Sequence, residues 1–271
     1  MTQLPRLGSE NEELDRMSLL GHLEELRRRL VRSLVAFVAS FLACWVFHEQ
    51  IAAFLLLPLE RMPPEIWAEG KRLIFLGPTD AFIFYLKVAA LAAVFLASPW
   101  ILYQLWGFVA PGLYRREKRM AVPFIFFGSS LFLAGGAFAY YIAFPFAVTF
   151  LIGFGGDQFE AQITIERYLS FLMTVILGLG VMFELPTLIL LLSRAGIVTP
   201  VFLLRHFRWA VLLIFIFAAI ITPTPDAVNL LIFALPTIVL YLVGIGVAAV
   251  FRPQPAAEEP ADTAEAKVDN S

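Results

Sequence analysis

Long apolar runs separated by short charged stretches set the rhythm of this chain. They cover about 30–47, 81–106, 120–144, 168–192, 209–221 and 230–250. Ahead of the first, Leu19, Leu23, Leu26 and Leu30 recur at three- and four-residue steps. That spacing predicts an amphipathic helix that starts near Ser18 as N-cap and leads unbroken into the first run. The fold class is therefore all-α integral membrane with six transmembrane helices. Residues 1–17, polar and acidic, read as a disordered N-terminus, 18–251 as the six-helix domain and 252–271, rich in Pro, Ala and Glu, as a disordered tail. The stretch 48–80 reads as a polar connector containing Pro58, Pro63, Pro64 and Pro78.

The lengths of the runs add a constraint. At about 1.5 Å per residue the fifth run covers only about 20 Å, against a hydrocarbon core of about 30 Å. The sixth begins just beyond Thr222-Pro223-Thr224-Pro225-Asp226, so the fifth and sixth helices are both expected to be short and to form a short hairpin. Such a hairpin thins the bilayer locally, which suits the passage of large cargo, or hides its ends by packing inside the bundle. Both readings are open on length alone.

Composition supports the membrane assignment. Hydrophobic residues make up 60% and charged ones 15%, where soluble domains carry about 45–50% and about 25%. The charge is segregated rather than dispersed. Arg27, Arg28, Arg29 and Arg32, then Arg115, Arg116, Lys118 and Arg119, then Arg194, Arg205 and Arg208, and finally Arg252 fall on one side of the membrane. The other side collects only Arg61, Lys71, Arg72 and Arg167, with Lys87 just inside the second run. The positive-inside rule makes the first side cytoplasmic, with both termini in and the chain in the cytoplasmic (inner) membrane. The acidic stretch 8–15 and the length of the first run argue for an uncleaved span rather than a signal peptide. A single cysteine, Cys44, excludes an internal disulfide framework and reads as a packing residue.

Candidate chemistry is sparse. Glu184 falls near mid-membrane, where an ionisable side chain defaults to a functional role, and Pro186 after it opens the backbone ladder. It reads as the lining of a polar cavity or as a hydrogen-bonded strut between helices. Glu24 and Glu25 can pair with Arg28 and Arg29 four residues on, and Glu117 is flanked by basic residues. Alternatively, Glu25 and Glu117 accept the guanidinium groups of a partner, since carboxylates suit bidentate arginine. Asp226 reads as the N-cap of the sixth helix, and Gln104, Trp106 and Phe108 as interfacial anchors. His22, His48 and His206 lie near span ends, and no intramembrane Ser–His pair, HExxH motif or aspartate pair occurs. The loop 153–157 lacks the lysine of a phosphate-binding loop. No enzyme, cofactor, metal or nucleic-acid partner is expected. An ion-coupled small-solute transporter, with Glu184 as proton carrier, is the principal rival to a docking platform.

The ordered set of motifs resembles the TatC family, the multi-span receptor subunit of the twin-arginine protein translocase. The motifs are His22-Leu23-Glu24-Glu25-Leu26-Arg27-Arg28-Arg29-Leu30, the run Ile101 to Tyr114 continuing into Arg116-Glu117-Lys118-Arg119, Phe183-Glu184-Leu185-Pro186, and Ile221-Thr222-Pro223-Thr224-Pro225-Asp226. The resemblance implies a glove-like concave bundle that recognises twin-arginine signal peptides and exports folded proteins on the proton-motive force. It implies that Glu25 and Glu117 dock the paired arginines, with Arg27, Gln104 and Phe108 at or supporting that site. Glu184 would contact the inserting signal or small single-span TatA/TatB-type subunits, and Pro58 and Asp226 would be functional outer-side positions. Self-association into a multimeric receptor complex is implied as well. One departure is Asn229-Leu230, where many relatives carry Ser-Gln.

Overall fold

Apolar chain crosses hydrocarbon only if each backbone N–H and C=O is satisfied within its own segment, which selects helices. The computed structural model describes residues 7–62, 72–109, 121–154, 162–194, 196–222 and 226–250, and these are helical almost throughout. In chain order the elements are α1 (Leu7–Val46), α2 (His48–Glu60), α3 (Asp80–Val109), α4 (Ala121–Phe138), a π-helical turn (Ala139–Ala143), α5 (Phe144–Gly153), α6 (Ile165–Phe183), α7 (Leu185–Arg194), α8 (Pro200–Arg205), α9 (Phe207–Ile221) and α10 (Ala227–Val250). Among them, five stretches are long and apolar enough to cross a membrane: Gly21–Val46, Asp80–Phe108, Val122–Gly153, Ile165–Arg194 and Ala227–Val250, with Phe207–Ile221 as a shorter apolar helix.

Four expectations need correction. The first helix begins at Leu7, not near Ser18, so 7–17 is helical. The stretch carries several residues of good helix propensity, glutamate, leucine and methionine among them. The third span runs on to Gly153, past the expected end at Phe144. Pro145 looks like a stop, but the π-helical turn ahead of it absorbs the interrupted ladder and the chain continues as α5. The connector 48–80 contains a helix, α2, that buries Ala52, Leu55 and Leu59 on one face. Finally, the sixth helix is not short. α10 has 24 residues, about 36 Å at about 1.5 Å per residue, because it starts directly after its cap and passes through Pro236 without ending. α9, by contrast, has the expected shortness at 15 residues.

The proline inside α3 is matched by a side-chain donor. Pro99 cannot donate to the carbonyl of Phe95, and the Ser98 hydroxyl donates to it instead at 2.8 Å. Packing proceeds pairwise: α1 on α3, α4 on α6, α7 and α9 on α10. α4 and α6 approach closely at Gly135, where a Cβ would lie 2.8 Å from the Leu179 carbonyl oxygen. Small residues at such crossings are what brings membrane helices together when the surroundings are as apolar as the core. The interior is centred on Phe144, Leu169, Leu172, Leu179 and Phe233. Cys44 packs with Ala89 and Ala93 as a buried free thiol, in the packing role expected of it. On the loops, Ile74 and Thr164 form an isolated parallel bridge, with Ile165 N–H donating to the Ile74 carbonyl at 2.9 Å. This bridge ties the entry of α3 to the entry of α6.

Candidate functional site

Residues 22, 25 and 29 of α1 are three and four apart, so they share one helical face. That face looks onto the last turn of α3. The Glu25 carboxylate oxygen Oε1 accepts two hydrogen bonds from Arg29, from Nη2 at 2.6 Å and Nε at 3.0 Å. The same guanidinium lies over Gly107: a Cβ there would sit 2.0 Å from Nη1. One residue on, Phe108 stacks on His22 with ring centroids 4.4 Å apart. The structure thus brings Glu25 and Phe108 into one cluster and adds His22 and Arg29. The Glu24–Arg28 pair that the spacing permits is not made, and both side chains are exposed.

Gln104 lies one turn before Phe108 on α3. It is 3% exposed, and its Oε1 has no hydrogen-bond partner among the described residues. Burial is not what an interfacial anchor shows, so Gln104 reads instead as a polar group of the interior. Arg27, two positions from Glu25 and so on a different side of α1, is exposed. Glu117 lies outside the described residues.

Glu184 occupies the break between α6 and α7. Its N–H donates to the Val181 carbonyl at 3.1 Å, a tightened turn, and the ladder resumes with Leu188 N–H on the Glu184 carbonyl at 2.9 Å. Pro186, which has no N–H, follows at the start of α7. Both carboxylate oxygens are buried without a hydrogen-bond partner among the described residues, and the neighbouring Thr187 hydroxyl stands the same way. Oε2 lies 3.3 Å from where a Cβ of Gly128 would be, so α4 presents bare backbone to the acid. The carboxylate faces a cavity of about 440 Å³ whose lining includes Leu102, Phe124, Leu188, Leu213 and Tyr241. The groove is apolar apart from the Glu184 carboxylate and the hydroxyls of Thr187 and Tyr241, the last of which donates to the Leu203 carbonyl at 3.0 Å. It suits an apolar helical segment that brings a donor, because a buried unpaired acceptor is costly until a partner supplies one.

At the opposite end of the helices, Asp226 caps α10 as expected: Oδ1 accepts from Asn229 N–H at 2.7 Å and Oδ2 from Asn229 Nδ2 at 2.9 Å. Asn229 is fully buried, so the residue that departs from the usual Ser is built into the cap, while Leu230 is half-buried. Pro58 is buried within α2. Among the described residues no group of three or more His, Cys, Asp or Glu side chains could hold a metal ion.

The fold is that of a helical multi-pass membrane protein, with a carboxylate-bearing apolar groove between its helices and an acid–arginine cluster where α1 meets the last turn of α3. The chain matches the sequence profile of "Sec-independent protein translocase protein (TatC)" over residues 21–236. It is 47% identical over 243 residues to the TatC protein of Koribacter versatilis, covering 90% of this chain and 89% of the relative. With the TatC protein of Helicobacter pylori strain J99 identity is 42% over 237 residues, 88% and 91% of the two chains. The fold superposes with a TM-score of 0.72 on the crystal structure of a twin arginine translocase receptor, TatC, at 32% identity, covering 84% of this chain and 98% of that one. The chain belongs to the TatC family, the receptor subunit of the twin-arginine translocase. The solute-transporter reading lapses with that finding.

Proposed function

We propose that this chain docks twin-arginine signal peptides at Glu25, with Glu117 as the second carboxylate, and guides the apolar part of the signal along the groove under Glu184. The observation that carries the reading is the Glu25–Arg29 pair, a carboxylate already holding a guanidinium through two hydrogen bonds. Arg27, Gln104 and Phe108 act as flanking or supporting residues, and Pro58 and Asp226 hold the outer end. The chain crosses the cytoplasmic membrane six times with both termini inside, consistent with its arginine-rich loops. Small single-span TatA/TatB-type subunits and further copies of the chain complete the complex. The proton-motive force drives export of folded cargo, with the bilayer as the remaining partner.

Photo-crosslinking a reporter signal to the full chain in membranes tests the docking step. The yield should fall when the two signal arginines become lysines, and again with Glu25→Ala and Glu117→Ala. A yield indifferent to all of these changes sinks the reading.

A further inference from the structure

One oxygen of the carboxylate assigned to docking, Oε1, is occupied, and a guanidinium fork across both oxygens needs it free. Among the described residues, all the hydrogen bonds of the Glu25 side chain go to Arg29 of the same helix, both on Oε1. The arginine is also seated: its Nη1 lies over the bare backbone of Gly107, where a Cβ would come within 2.0 Å. A guanidinium held by two N–H donors on a carboxylate and backed by α3 has the form that an incoming signal arginine would take at the same acid. Only one of the two can hold Oε1 in that way.

We propose that Arg29 is an internal surrogate for a signal arginine, which must leave Glu25 before cargo docks, so that it sets the threshold of signal affinity. The inference rests on the docking reading above. The pair is only partly buried, with the two side chains 19% and 21% exposed, and intrahelical ion pairs of that kind are weak. Displacement is therefore easy, and the cost takes the form of a population factor: the apparent dissociation constant rises as the fraction of molecules with Glu25 uncovered falls. Because that factor belongs to the receptor, it multiplies every ligand of Glu25 equally.

Calorimetric titration of the purified full-length chain in detergent, with a twin-arginine signal peptide and its twin-lysine variant, tests this. Arg29→Gln should tighten both peptides by the same factor, about two- to fivefold for a pair of this weakness, leaving the arginine-to-lysine preference unchanged. Gly107→Ala, which displaces the guanidinium while keeping it, should shift affinity in the same direction. In a Glu25→Ala background, Arg29→Gln should do nothing. If wild-type binding depends on Glu25 yet Arg29→Gln weakens it, leaves it unchanged or narrows the arginine-to-lysine preference, Arg29 orients the acid and the surrogate role is overturned. If wild-type binding does not depend on Glu25, the docking reading falls and this inference with it.

Discussion

The Tyr140 hydroxyl donates its hydrogen bond to the backbone carbonyl of Phe54, the acceptor that Pro58, four residues on, cannot serve. The two rings stack as well, with centroids 4.6 Å apart. Tyr168 does the same for the next carbonyl, Leu55, at 2.8 Å. These contacts pin α2 to the π-helical turn and to α6, and they give Pro58 a physical role: it opens a carbonyl that another helix then grasps. Tyr140→Phe should lower the thermal unfolding midpoint in detergent, corresponding to about 0.5–1.5 kcal/mol for a part-buried hydrogen bond lost. Pro58→Ala returns an N–H to that acceptor, so the double variant should lose less than the two single losses summed. Additive losses, followed by circular dichroism, would show that the two residues act independently.

At the turn between α9 and α10, Asp226 supplies the cap of α10 through both oxygens. Asp226→Ala should cost about 0.5–2 kcal/mol and speed hydrogen exchange at the Asn229 and Leu230 amides. Asp226→Asn, which keeps an acceptor for the Asn229 N–H, should retain most of that protection.

Glu184 is a place where stability and function should separate. Among the described residues its carboxylate is buried against an apolar cavity with only the Thr187 hydroxyl as a polar neighbour, and acids so poorly paired in a membrane interior are retained for use rather than for packing. Glu184→Leu should leave the unfolding midpoint unchanged or raised, while export of a twin-arginine reporter falls at least about tenfold, a loss of about 1.4 kcal/mol or more in the step it serves. Normal export by this variant would remove Glu184 from the mechanism.

Two glycines should respond in opposite ways. Gly135 faces the Leu179 carbonyl oxygen at 2.8 Å from a Cβ position, whereas nothing lies within 4 Å of a Cβ at Gly246. Gly135→Val should destabilise the α4–α6 crossing by about 1–3 kcal/mol. Gly246→Ala should be neutral, or stabilise α10 by up to about 1 kcal/mol through helix propensity. Unfolding of the two variants in the same detergent gives the comparison.

The features legible in the chain are those whose causes act over a few residues. The apolar runs, the short α9, the break at Glu184 ahead of Pro186 and the Asp226 cap each follow from hydropathy, a missing N–H or a side-chain acceptor next to its donor. So does the Glu25–Arg29 pair, four apart on one helix. The local reading fails at the third span, which it ends at Phe144 although the helical stretch continues to Gly153. Pro145 and Pro236 both lie inside continuous helical stretches. Neighbouring helices and side-chain donors can re-satisfy what a proline leaves open.

The sequence by itself determined which segments enter the bilayer, where one of them is too short and which acid lies among apolar neighbours. Tertiary structure decided what those segments meet. α2 depends on hydroxyl donors 86 and 113 residues away along the chain. The face of α1 that carries His22, Glu25 and Arg29 acquires its meaning only against Gly107 and Phe108 of α3. Gln104 reads as an anchor at the interface until packing buries it. Hydropathy is summed along a window and has no direction around a helix, whereas the contacts that hold an arginine on a glutamate, or leave a glutamate unpaired, are fixed by which faces pack together.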